Sequence, residues 1–123
     1  MNLHAYWEAA LKQRRDELTA CFAPDAVIRW HCTGEMFTVE EFVRANCDYP
    51  GEWEGCVERA EQTPEGCVTA VSVWPMDRSA SYHAVSFFTL KNGLITALDE
   101  YWADDGEPPA WRREMGIGRP IVH

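Results

Sequence analysis

Positive charge is scarce in this chain: 11 Lys and Arg stand against 20 Asp and Glu in 123 residues, a formal net charge of -9. That sign opposes binding to phosphate backbones, which requires clustered Lys and Arg, so nucleic acid is not expected as a partner. It opposes anionic lipid for the same reason. The longest basic cluster, Lys12-Gln13-Arg14-Arg15, runs straight into Asp16 and Glu17 and reads as a solvated helix face. Long apolar runs are missing too, and none approaches the length of a membrane span, so no membrane partner is expected. Met1-Asn2-Leu3-His4 leads into an amphipathic pattern and lacks the apolar centre of a signal peptide. Five cysteines (Cys21, Cys32, Cys47, Cys56, Cys67) are an odd number without CxxC spacing. They form neither a disulfide framework nor a zinc site, and a reducing cytoplasm with free thiols is the simplest setting. No Gly-rich phosphate loop is present, and no Ser or Cys sits in a nucleophile motif, so no cofactor is expected.

Large rings, by contrast, are plentiful. Six Trp, five Phe and four Tyr are more than a domain this small needs for filling, so they are expected to thicken a core and line a cavity. The length suits a single domain spanning residues 1–123, with a core over about 3–104 and a C-terminal tail at 105–123.

Leu3, Trp7, Leu11, Leu18 and Phe22 fall at helical steps, with Ala10 and Cys21 beside them, which predicts one helix of about five turns. Pro24-Asp25 ends it, and Ala26 to Cys32 reads as a strand. Thr38 with Glu41 three residues later makes a capping box, so a second helix starts near Val39 and is broken by Tyr49-Pro50-Gly51. The pattern then turns to strands. Residues 54–62 alternate loosely, Thr63-Pro64-Glu65-Gly66 fits a type I turn, and Cys67 to Trp74 is nearly all apolar. A turn at Met76-Asp77-Arg78-Ser79 leads to a strand from about Ala80 to Leu90, which Asn92-Gly93 folds back onto Leu94 to about Ala103. Helices followed by an antiparallel meander give an α+β class, with a long curved sheet wrapped on the N-terminal helices.

A two-residue loop at Asn92-Gly93 pairs Lys91 with Leu94, Phe87 with Leu98, Val85 with Glu100 and His83 with Trp102. One face then carries His83, Val85, Phe87, Leu98, Glu100 and Trp102. Tyr82, Ala84, Ser86, Phe88, Asp99 and Tyr101 fall on the other. Neither face is polar, and the helices can cover only one. A second copy of the chain, docked through the sheet's outer face as a homodimer, is the simplest cover for the other. A carboxylate among apolar neighbours has a raised pKa and can act as a general acid or base, which makes Glu100 the candidate catalytic residue and His83 its partner. The alternative is a structural ion pair between Glu100 and an arginine such as Arg29 or Arg59. Trp30 and His31 point to opposite faces of their strand, so one of them lines the pocket: Trp30 is the expected wall and His31 the second choice, for polar contact, with a satisfied core or surface histidine as its alternative. Trp53 is a candidate rim residue, and Val85, Phe87, Leu98 and Trp102 complete the expected lining. His31 and His83 lack a third ligand at metal-binding spacing, so no metal is expected.

Three stretches carry a family likeness: Phe22-Ala23-Pro24-Asp25-Ala26-Val27, Phe37-Thr38-Val39-Glu40-Glu41-Phe42, and Lys91-Asn92-Gly93-Leu94-Ile95 running into Asp99-Glu100-Tyr101-Trp102. In their order and spacing the chain resembles SnoaL-like, polyketide cyclase-like proteins of the nuclear transport factor 2-like superfamily, which also holds ketosteroid isomerase and limonene epoxide hydrolase. The resemblance covers roughly residues 3–104. It implies a cone-shaped, cystatin-like fold with a deep hydrophobic pocket, often dimerised through the outer face. Superfamily members use that pocket for isomerisation, aldol cyclisation, epoxide opening or dehydration, and many simply bind a ligand. Glu100, before Tyr101-Trp102, resembles the water-activating acid of the epoxide hydrolase. That enzyme's Arg and second Asp have no match in Cys67–Trp74. Two readings follow: a cofactor-independent isomerase, cyclase or hydrolase acting on a small hydrophobic molecule, or a non-catalytic ligand-binding or dimeric scaffold domain.

Overall fold

Thr38 sets the first fixed point. Its hydroxyl accepts from the Glu41 amide at 3.2 Å while the Glu41 carboxylate accepts from the Thr38 amide at 2.9 Å, so both orphan donors are satisfied and α3 (Val39–Cys47) begins there. In the computed structural model, which describes residues 1–122, the predicted long N-terminal helix is instead two: α1 (Leu3–Leu11) and α2 (Arg15–Thr19). The break lies at Gln13, which takes a left-handed backbone (φ 56°). Its side-chain amide donates to the carbonyls of Asn46 at 3.0 Å and Tyr49 at 2.7 Å, and Asn46 returns a bond to the Ala10 carbonyl at 2.9 Å. The interruption therefore laces α1 to the end of α3.

The strands are β1 (Phe22–Trp30), β2 (Glu35–Phe37), β3 (Trp53–Thr63), β4 (Gly66–Pro75), β5 (Tyr82–Lys91) and β6 (Leu94–Asp104), and a short α4 (Ala110–Glu114) follows in the tail. They form one curved, unclosed α+β sheet in the order β2-β1-β6-β5-β4-β3, antiparallel except for the parallel pair β1–β6. Strand β1 starts earlier than the sequence pattern suggests. Pro24 and Asp25 are accommodated where the β1–β6 register shifts between Phe22 and Val27, and a proline without an N–H is tolerated at such an irregularity.

The hairpin tip is as predicted, with Lys91 opposite Leu94, but the body is not. Between Leu90–Ile95 and Thr89–Ala97 the register slips, leaving Thr96 as an extra residue whose hydroxyl donates to the Thr89 carbonyl. This bulge shifts every later pair by one, so Ser86 faces Glu100, Ala84 faces Trp102 and Val85 faces Tyr101. A shift of one exchanges the faces of one strand relative to the other. The grouping of His83, Val85 and Phe87 with Leu98, Glu100 and Trp102 is thereby corrected. The first three lie on the outer face, while the last three turn inward.

On the inner face Ile28, Val71, Ile95 and Leu98 pack with Tyr6, Leu18 and Phe42 from the helices, all fully buried. Tyr6 anchors this layer edge-on to Phe88 at 5.0 Å and to Trp7 at 5.2 Å. The outer face leaves Val85, Phe87 and Tyr101 substantially exposed. No helix among the described residues is long and apolar enough to cross a membrane.

Candidate functional site

Between α1, α3 and the inner face lies a cavity of about 380 Å³. Eight of its lining residues are aromatic: Tyr6, Trp7 and Phe42, which are buried; Trp30, Trp53, Tyr82 and Trp102, partly buried; and Tyr49, exposed. The lining also carries two carboxylates, Glu100 and Asp104, but among the described residues no Lys, Arg or His. Alternation along β6 explains the acids, because Glu100, Trp102 and Asp104 share one face at steps of two.

Glu100 is 2% exposed. Its Oε1 accepts from Trp30 Nε1 at 3.2 Å, a bond supported by the direct pairing of Trp30 with Glu100 across β1 and β6. Its Oε2 accepts from the Ser86 hydroxyl at 2.5 Å, supplied by the opposite residue of β5. Trp102 stands close enough to favour the ionised form, although its Nε1 completes no hydrogen bond of normal geometry. Loss of hydration outweighs all three donors and holds the carboxyl above its ordinary value. Burial, with Glu100 adding to it, pushes the nearby Tyr6 phenol far above its usual range, so Tyr6 stays neutral.

The expected arginine partners are elsewhere. Arg29 meets Asp99 at 3.4 Å, and Arg59 meets Glu61 at 2.9 Å. Both histidines are on the outer surface with carboxylates of their own. His31 lies 2.7 Å from Asp99 and stacks on Tyr101 at 4.5 Å. His83 hydrogen-bonds Asp105 and reaches Glu58 at 3.3 Å; the Asp105 bond is the main reason its pKa is raised. The sheet separates both rings from Glu100, so neither shares its cavity. Val85 and Phe87 are exposed on that same outer face, and Leu98 is fully buried in the core rather than in the lining. Trp30, Trp53 and Trp102 do line the cavity with Glu100, and Trp53 is steadied by donating to the Pro50 carbonyl at 3.1 Å.

Sequence reasoning overlooked Ser86, Tyr6 and Asp104. The hairpin register assigned Ser86 to the other face until the bulge moved it. Tyr6 had a readable signal, since it stands one helical turn before Ala10 on the buried stripe. Asp104 continues the alternation from Glu100 past the point where the strand was expected to end.

No protein-family model matches the chain, and no curated protein matches it. Solved structures do. A candidate ketosteroid isomerase from Kribbella flavida is similar at TM-score 0.79 and 22% identity, over 97% of this chain and 87% of that one. An NTF-2 like protein of unknown function from Burkholderia xenovorans gives 0.77 and 21%, over 98% and 92%. The chain has the nuclear transport factor 2-like fold. An LEH-like epoxide hydrolase from M. tuberculosis shares this NTF2-like frame at 0.66 and 14%, over 82% and 79%. At such identities the likeness is one of fold, and activity has to be argued from the site.

Proposed function

We propose that this chain is a cofactor-independent enzyme in which Glu100 moves a proton on a small hydrophobic substrate held in the aromatic cavity. One observation carries the reading: a buried carboxyl lines the cavity, is paired with no cation among the described residues, and is held above its usual pKa by burial. A carboxyl whose pKa is raised in that way suits proton transfer as a general acid or base. Trp30 and Ser86 fix the direction of the two oxygens, and the surrounding rings exclude water. Isomerisation and epoxide hydration, the reactions named for two neighbours of the same fold, both employ such a group. A homodimer covering the exposed Val85, Phe87 and Tyr101 is part of the same proposal.

The test offers a β,γ-unsaturated ketone and a cyclic epoxide to the wild type and to Glu100→Gln, while the Glu100 carboxyl is titrated by carbon-13 NMR. The expected outcome is turnover of one substrate, an elevated carboxyl pKa, and a loss on the order of 10²-fold or more in the variant. A carboxyl titrating near 4.3, or undiminished turnover in Glu100→Gln, sinks the enzyme reading. A second reading, a non-catalytic ligand-binding or scaffold domain, draws on the fact that both Glu100 oxygens already accept a hydrogen bond. Collapse of the fold in Glu100→Gln favours it.

A further inference from the structure

The ionisable groups of the lining are one-sided. Besides tyrosine and cysteine they are acids, and among the described residues the lining holds no Lys, Arg or His; its eight rings are of the kind whose faces attract cations. Lys12 Nζ donates to the Trp53 backbone carbonyl at 3.5 Å but lies outside the lining. Trp53 has Tyr49 at 5.2 Å and Tyr82 at 5.9 Å between ring centroids, an aromatic cluster on the more exposed side of the cavity. Asp104 belongs to the same side: it is paired with Tyr82 across β5 and β6, and no ion pair engages it among the described residues. Glu100 lies two alternations further in, about 13 Å along the strand.

We infer that the cavity takes an organic cation, an alkylammonium or quaternary ammonium group seated among the rings with Glu100 as its counter-charge and Asp104 drawing it in at the mouth. The inference rests on reading the cavity as a ligand site, and it names the class of ligand. A neutral hydrophobic guest uses the ring area and, where it carries an acceptor, the Trp7 and Trp102 N–H groups, unpartnered among the described residues. A cation uses the ring area, the ring quadrupoles and the Glu100 carboxylate, and it enters past Asp104 into a protein whose overall charge already attracts it. A second consequence follows from the groups that face Glu100: Tyr6 from α1, Trp30 from β1, Ser86 from β5 and Trp102 from β6. None of them is cationic. A bound ammonium supplies the missing positive charge and favours the ionised carboxyl, lowering its pKa on binding.

The experiment compares choline with 3,3-dimethylbutan-1-ol, its isostere with carbon in place of nitrogen, by calorimetry and tryptophan fluorescence. The expected result is binding of choline at least about tenfold tighter than the isostere at pH 8, a difference of about 1.4 kcal/mol. Choline affinity rises with pH through the range in which Glu100 ionises, and its binding heat depends on the buffer's ionisation heat. Both signatures disappear in Glu100→Gln, and Asp104→Asn, at an exposed position, weakens choline alone. Equal binding of the two compounds overturns the cation inference and leaves the ligand site standing. Absence of binding by either overturns it as well, while the Glu100 titration above still decides the enzyme reading separately.

Discussion

On β6, Asp99 faces outward, where Arg29 at 3.4 Å and His31 at 2.7 Å bracket its carboxylate. Glu100, the next residue, faces inward and meets only neutral donors: an indole N–H and a hydroxyl. One peptide bond therefore separates a solvated, ion-paired acid from a buried one whose protonated form is favoured. The first has its charge answered by basic side chains; the second is left with a charge that hydration no longer supports. What differs is the sheet face, and the sheet face is set by Thr96.

Deleting Thr96 attacks that comparison most directly. Without the extra residue, the stretch from Leu98 to Asp104 must either turn its inner side chains outward or lose its pairing with β1 and β5. The expected outcome is loss of cooperative thermal unfolding, read by circular dichroism. A deletion variant that melts as the parent does would show that the bulge does not set the faces.

Milder substitutions sharpen the contrast. Leu98→Ala, at a fully buried inner position, is expected to cost about 2–5 kcal/mol in denaturant unfolding. Phe87→Arg, on the outer face at 46% exposure, should leave the fold stability of one chain within about 1 kcal/mol. Its effect belongs to assembly: sedimentation at micromolar concentration is expected to show two 14.1 kDa chains in the wild type and one in Phe87→Arg. A monomeric wild type would remove the second copy from the proposal.

The smallest effects are the most specific. Glu100 titrates higher in the folded chain than in the unfolded one, so its contribution is fully present below the unfolded pKa, roughly 4.3. That contribution is lost as pH rises through the folded value. Stability measured across that window should fall less in Glu100→Gln than in the wild type. Asp99→Asn should cost no more than about 1 kcal/mol, and less in high salt, as exposed ion pairs do. A steeper fall in Glu100→Gln would contradict the direction of the Glu100 shift.

What was legible in the sequence was local. The Thr38–Glu41 capping box and the Asn92-Gly93 turn are decided by a few consecutive residues, and both stand where their chemistry places them. What escaped was decided at a distance. Gln13 takes its left-handed backbone where its amide meets two carbonyls some thirty residues on, and nothing in Lys12-Gln13-Arg14 announces them. Thr96 is a good strand residue and bulges without a glycine to mark it. From that single residue came the misplacement of His83, Val85 and Phe87 beside Glu100. The alternation on each strand was read correctly, but the offset between the strands was not.

The parallel pairing of β1 with β6 has a temporal consequence. Trp30 and Glu100 are seventy residues apart, whereas β5 and β6 are joined by a two-residue turn. Loop closure favours the hairpin first, and the long-range pair waits until nearly the whole chain is available. During synthesis the meander can assemble while its inner face, Ser86 included, still lacks the strand that completes the Glu100 cradle. Until that last strand leaves the ribosome, the apolar surface that becomes the cavity wall stays open to whatever chaperone or neighbouring chain reaches it first.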